Sequence, residues 1–238
     1  MSQAMTEIEW KGRTGPFSLM LRPGVFSPTH TSRTLAEALE IMPDDIVIDV
    51  GCGSGVLSFV AARLGAKKVY GTDISEVSVL SATENAVRLG LNDVVEFRAG
   101  SLLEPVRDVR ATVLIGDVSG IPDEVAELTG WFPDGHAGGP TGAELPQMML
   151  ESIGDTLAPG GRLYLPTGTI QDEKRILEAA RKVFGDNMVP VLQREFPLPD
   201  IVGKSVAVAR MMKDGLLNLQ QRGSRMLWRL QIWRCVRT

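Results

Sequence analysis

Residues Ile46-Val-Ile-Asp-Val-Gly-Cys-Gly-Ser-Gly55 run from an apolar, β-branched stretch straight into alternating glycines. Ile46 to Val50 has the character of a parallel strand covered on both faces, and Val56 onward reads as the helix returning across it. Gly51, Gly53 and Gly55 then occupy the strand-to-helix turn, where glycine takes positive φ and lets a ligand come close to the backbone. Lys68 to Thr72 reads as the next parallel strand and carries Asp73 to its carboxyl edge, where an acid can hold a ribose diol. Together the two strands describe the floor of a nucleoside site.

Spacing narrows the ligand. A dinucleotide fold also has a glycine-rich turn and an acid on its second strand, but its fingerprint is Gly-x-Gly-x-x-Gly with a pyrophosphate on the helix N-terminus. Here the glycines alternate as Gly-x-Gly-x-Gly, no pyrophosphate seat is evident, and Asp49 lies inside the strand. An acid just before the loop suits a cationic ligand carrying an amino-acid head group, which points to S-adenosyl-L-methionine.

Through Asp49-Val-Gly-Cys-Gly-Ser-Gly55, Asp73 and the later Leu157-Ala-Pro-Gly-Gly-Arg-Leu-Tyr-Leu165, the chain resembles the class I S-adenosylmethionine-dependent methyltransferases over roughly three-quarters of its length. Within that superfamily it is most similar to the release-factor glutamine methyltransferases and the ribosomal-protein methyltransferases. Phe26-Ser-Pro-Thr-His-Thr-Ser-Arg-Thr34 matches their upstream cofactor-contacting segment, and Gly138-Gly-Pro-Thr-Gly-Ala-Glu144 looks like their Gly-Gly-x-x-Gly element before the fourth helix. The resemblance implies an α/β, Rossmann-like doubly wound fold, with a seven-stranded mostly parallel sheet whose last strand is antiparallel. It also implies a cofactor site built from Thr29 and His30 of the upstream segment, Asp49, Gly51, Gly53 and Gly55 of the loop, Asp73 with Ile74, and Ser101 and Asp117 after the next strands. Ser101 follows Gly100 where the family pattern has an acid beside the adenine, and a serine can still hydrogen-bond there.

Charge and composition limit the partners. A net charge of −4 gives no field for grasping a polyanion, so nucleic acid is not the expected partner. With 238 residues and 44% hydrophobic content the chain can bury a full core. Cys52 and Cys235 have no metal-ligand spacing and make no disulfide framework, so no metal is expected and a reducing cytoplasm fits. The N-terminus has no basic region followed by an apolar core and no apolar run approaches spanning length, so the expectation is a soluble protein with no membrane partner.

Strands and helices alternate, which implies a parallel sheet. Val77, Leu80 and Val87 mark one face of a helix stopping at Gly90, Val94 to Arg98 reads as a third strand, and Ala111 to Gly116 as a fourth. Residues 120–143, rich in Gly and Pro, read as a long loop or partial lid. Arg162 to Leu165 is a fifth strand, followed by an amphipathic helix through Ile176, Ala180 and Phe184 that closes at Gly185. From Arg222 to Thr238 the pattern has period two and reads as an edge strand whose five arginines form a solvated rim. Glu7 to Trp10 and Pro16 to Arg22 fit a short hairpin over the cofactor entrance. The expected organisation is an N-terminal capping segment, 1–45, and a methyltransferase domain, 46–238.

Methyl transfer from a sulfonium is an in-line displacement, so the protein contributes near-attack geometry, exclusion of water and a route for the acceptor's proton. In the glutamine methyltransferases an Asn-Pro-Pro-Tyr element after the fourth strand grips a planar amide; the matching place here reads Asp117-Val-Ser-Gly120. With both prolines and the aromatic replaced, a flat amide loses its stacking surface. The Asp117 carboxylate can accept a hydrogen bond or proton from an amine or hydroxyl, which makes it the candidate catalytic residue, although Asp at this place also fits a helix cap. Trp131 and His136 are candidate acceptor contacts, as a cover over the acceptor and a general base; sheet packing and an incidental loop histidine are the alternatives. Few residues precede the first strand, leaving no room for the separate recognition domains of the resembled enzymes. The expected function is therefore methyl transfer to nitrogen or oxygen of a small metabolite, the acceptor being a small molecule or short peptide. A protein or peptide methyltransferase, and a cofactor-binding regulatory protein without catalysis, stay open.

Overall fold

The computed structural model describes residues 4–130 and 137–238. They divide into two compact units: one runs to Asp117 and includes Ser152–Tyr164 and Val236–Thr238, and the other consists of Val118–Glu151 and Leu165–Cys235.

The first unit opens with the hairpin β1 (Thr6–Trp10) and β2 (Phe17–Leu21), antiparallel with Trp10 opposite Phe17. Then come α1 (His30–Ala38), β3 (Ile46–Val50), α2 (Val56–Arg63), β4 (Lys68–Asp73), α3 (Glu76–Arg88), β5 (Val95–Ala99) and β6 (Ala111–Ile115). Their strands pair in parallel as β5-β4-β3-β6, and β6 pairs with the start of the next strand, β7 (Leu157–Gly168). Val47, Ile48, Val50, Val113, Leu114 and Ile115 are fully enclosed, as strands covered on both faces require. The hairpin packs on the helical layer: Phe17 meets Phe59 of α2 edge-on, with ring centroids 6.4 Å apart.

Helix α3 reverses its expected orientation. Val77, Leu80 and Val87 are 45%, 47% and 63% exposed, whereas Ser78, Ser81 and Asn85 are buried. The buried polar face holds β2. Asn85 accepts from the Met20 N–H (2.8 Å) and donates to the Met20 carbonyl (2.8 Å), Ser81 donates to the same carbonyl (3.1 Å), and Arg22 forks onto Glu84. Hydrophobic periodicity misplaced this face because the edge of β2 needs hydrogen-bonding partners and not apolar contacts.

The second unit contains α4 (Asp123–Thr129), α5 (Glu144–Glu151), the rest of β7, α6 (Glu173–Phe184), β8 (Met188–Pro197), α7 (Asp200–Gly203), α8 (Val206–Lys213), β9 (Gln220–Arg222) and nearly all of β10 (Arg225–Val236). The strand order is β7-β10-β8, with β10 antiparallel to β8 and β9 attached to β10 as an eighth sheet strand. Ile170, Leu198, Val202, Val208 and Met211 close a separate apolar cluster.

The fold is therefore α/β with a mostly parallel sheet and an antiparallel last strand, as expected. Two local expectations change. The stretch 120–143 is not only loop, since α4 forms inside it. The C-terminal strand β10 is interior and not an edge, and its arginines are only in part solvated: Arg222 on β9 and Arg225 are exposed, whereas Arg229 is half-buried and pairs with Glu173. A register shift between Ile232 and Trp233 breaks its period-two pattern. No helix among the described residues is long and apolar enough to cross a membrane.

Candidate cofactor site

Parallel pairing brings the carboxyl ends of β3, β4, β5 and β6 to one edge of the first unit, where open α/β sheets bind ligands. The turn after β3 is left-handed at Gly51, Gly53 and Gly55, with φ of 71°, 49° and 80°. The N–H groups of Gly51 and Cys52 both donate to the Thr72 carbonyl, at 2.8 and 2.9 Å, tying the turn to β4. Two of these glycines differ in purpose. A Cβ on Gly55 would lie 2.9 Å from both Phe59 and Phe97, so Gly55 is required by packing; a Cβ on Gly53 would meet only the Phe26 carbonyl at 4.0 Å, so Gly53 faces open space.

Asp73 receives the Gly53 N–H on Oδ2 (2.8 Å) and the Ser75 N–H on Oδ1 (2.9 Å). Each oxygen retains a lone pair for a hydroxyl. Ile74 beside it is exposed. Asp49 is 1% exposed; its Oδ2 accepts from Ser58 Oγ at 2.7 Å, and its Oδ1 has no partner. Burial pushes the Asp49 carboxyl up to about 7, with the Asp117 and Asp73 charges adding to the rise and Ser58 opposing it.

Asp117, after β6, is half-buried and accepts from Ser32 Oγ at 3.1 Å. Burial raises it to about 6 against that hydrogen bond. Ser32 belongs to α1, where Thr29 is the N-cap in a capping box with Ser32, and His30 is the exposed first residue. Ser101 lies half-buried on the turn after β5. The next residue, Leu102, has φ of 48°, and its carbonyl accepts from Thr72 Oγ1 at 2.7 Å. A non-glycine residue held there marks a turn fixed by its surroundings.

Thus Asp49, Asp73 and Asp117 lie on one edge, their described partners being neutral hydroxyls and amides. Three carboxylates with a buried unpartnered oxygen fit a ligand bearing positive charge, and the open side of Gly53 leaves room for it. These residues fit S-adenosylmethionine. Ser32 and Ser58, absent from the sequence-derived set, supply the hydroxyls that hold two of the carboxylates. Ser58 could have been noticed as a lone polar residue in the apolar run of α2. Trp131 and His136 lie outside the described residues.

Comparison with known proteins shows which enzymes this chain is similar to. A family model described as "Ribosomal protein L11 methyltransferase (PrmA)" matches residues 19–122. Proteins named Ribosomal protein L11 methyltransferase from Thermoanaerobacter pseudethanolicus and Listeria welshimeri are 33% and 29% identical over 170 residues, 69% of this chain and 47% and 46% of theirs. The chain thus spans about half the length of these curated relatives. A crystal structure of ribosomal protein L11 methylase from Lactobacillus delbrueckii subsp. bulgaricus superposes with a TM-score of 0.56 at 20% identity, covering 92% of this chain and 84% of that one.

Proposed function

We infer that this chain is a class I S-adenosylmethionine-dependent methyltransferase of the ribosomal-protein methyltransferase group, with S-adenosyl-L-methionine as cofactor and a nitrogen of a protein or peptide as methyl acceptor. The observation carrying the cofactor reading is the buried, unpartnered Oδ1 of Asp49 at the end of the strand that leads into the left-handed glycine turn. S-adenosylmethionine supplies a methyl group on a cationic sulfur. Asp49 and Asp73 provide the negative charge and diol acceptors that hold it, with Thr29, His30, Ile74 and Ser101 as further contacts. The segment 1–45 caps the cofactor entrance through α1, whose Ser32 reaches Asp117.

The acceptor reading takes the protein or peptide alternative ahead of the small-metabolite expectation; it is supported by the names of the matched relatives, which refer to a protein substrate. A net charge of −4 is compatible with a basic acceptor segment. Asp117, raised to about 6, stays mostly ionised at neutral pH and accepts the hydrogen bond of the incoming nitrogen.

Incubating the full chain with methyl-tritiated S-adenosylmethionine and purified ribosomal proteins should place label on a protein band. Label found only on small molecules from a metabolite extract would restore the metabolite reading. Tight cofactor binding with neither transfer would favour a regulatory protein.

A further inference from the structure

We propose that Ser32 is a positioning residue that orients the Asp117 carboxylate and keeps it available as a negative charge, so that the capped start of α1 sets the charge of the site. The proposal rests on the methyltransferase reading and assigns a role to a residue of the upstream segment outside the set expected to touch the cofactor. Ser32 is 6% exposed and touches two groups: it accepts the Thr29 N–H on Oγ at 3.4 Å and donates to Asp117 Oδ2 at 3.1 Å. A hydroxyl has one proton. With a lone pair turned to the Thr29 amide, that proton is directed at Asp117, and such a donor favours the ionised carboxylate.

A second observation agrees. Ser32 is the third residue of a nine-residue helix whose first turn carries no acid. The positive end of that helix dipole therefore lies on the Ser32 side of Asp117 and also favours its negative form. Burial acts in the opposite direction on Asp117, the Asp117 and Asp73 charges in turn raise Asp49 on β3, and His30 opens α1. Ser32 is thus the described neutral donor that offsets the burial of Asp117. Its removal should raise the proton affinity of Asp117, moving to higher pH the point at which the site carries its full charge.

The capping box gives Ser32 a role in stability too, so the test must read charge. S-adenosylmethionine carries one more positive charge than S-adenosylhomocysteine, and the ratio of their dissociation constants between pH 5 and 8 reports the charge of the site without any acceptor. In the wild type the preference for the cation should rise with pH. Ser32→Ala should displace that rise to higher pH, with about a 5-fold loss of preference near pH 6.5. Ser32→Thr should restore the curve, Asp117→Asn should remove its lower step, and Ser32→Cys, a weak donor of similar size, should fall between if the alanine variant folds poorly. A Ser32→Ala or Ser32→Cys curve coincident with wild type, whatever the melting temperature, overturns the assignment of Ser32 alone. Failure of folded wild type to bind either compound overturns the methyltransferase reading, and this proposal with it.

Discussion

Asp49 sits where folding alone would not put a carboxylate. Its proton affinity is raised from the ordinary 3.8 to about 7, so the folded chain binds more protons than the unfolded chain between those values. The sign follows: Asp49's contribution to stability is greatest below about pH 4 and declines as pH rises toward 7. Asp49→Asn keeps an oxygen for Ser58 and removes the charge, so it should raise the melting temperature of the free protein at pH 8, by about 2–4 °C per kcal/mol relieved. The same variant should weaken S-adenosylmethionine binding at least 10-fold, a stability gain at the expense of function that thermal melts and calorimetry can separate. The glycines give a second contrast. Gly55→Ala forces a Cβ into Phe59 and Phe97 and should cost about 2–4 kcal/mol of stability, whereas Gly53→Ala meets only the left-handed penalty of about 1–2 kcal/mol and should act mainly on cofactor affinity. Asp49, Asp73 and the glycines were legible because each has a fixed place relative to a strand end. Ser32 was not, and Ser58 stood out only as a polar residue in an apolar helix, because a hydroxyl's importance lies in what it touches across the fold.

At the level of elements, hydropathy found segments better than faces. The strand from Ile46, the hairpin and α6 stand where pattern put them, because local periodicity determines them. Helix α3 does not follow its hydropathy, since Asn85 and Ser81 serve the backbone of β2. Asn85→Ala leaves the Met20 N–H without its acceptor and should cost about 1–3 kcal/mol, with faster hydrogen exchange at Met20, while Leu80→Gln on the exposed face should stay within about 0.5 kcal/mol. Equal losses in chemical denaturation would mean that α3 is held by apolar contacts instead. The strand β10 was misjudged for a different reason: being interior depends on β8, some forty residues away, and no short window contains that pairing. Helix α4 escaped notice because its few residues lie among glycines and prolines.

For the molecule as a whole, the parallel order β5-β4-β3-β6 brings side chains distant in sequence to one edge. Asp49, Asp73 and Asp117 could be proposed from sequence one strand at a time, but their mutual repulsion, and hence the affinity for positive charge, exists only once the strands are paired. The acceptor was the least legible part, because recognition depends on loops and partners that periodicity does not encode. The central claim is that this edge binds a sulfonium nucleoside through its carboxylates. Isothermal titration of S-adenosylmethionine into wild type and Asp49→Asn at pH 7.5 tests it most directly. The account predicts micromolar binding by wild type and a loss of at least 10-fold in the variant; equal affinities, or no binding by folded wild type, would contradict it.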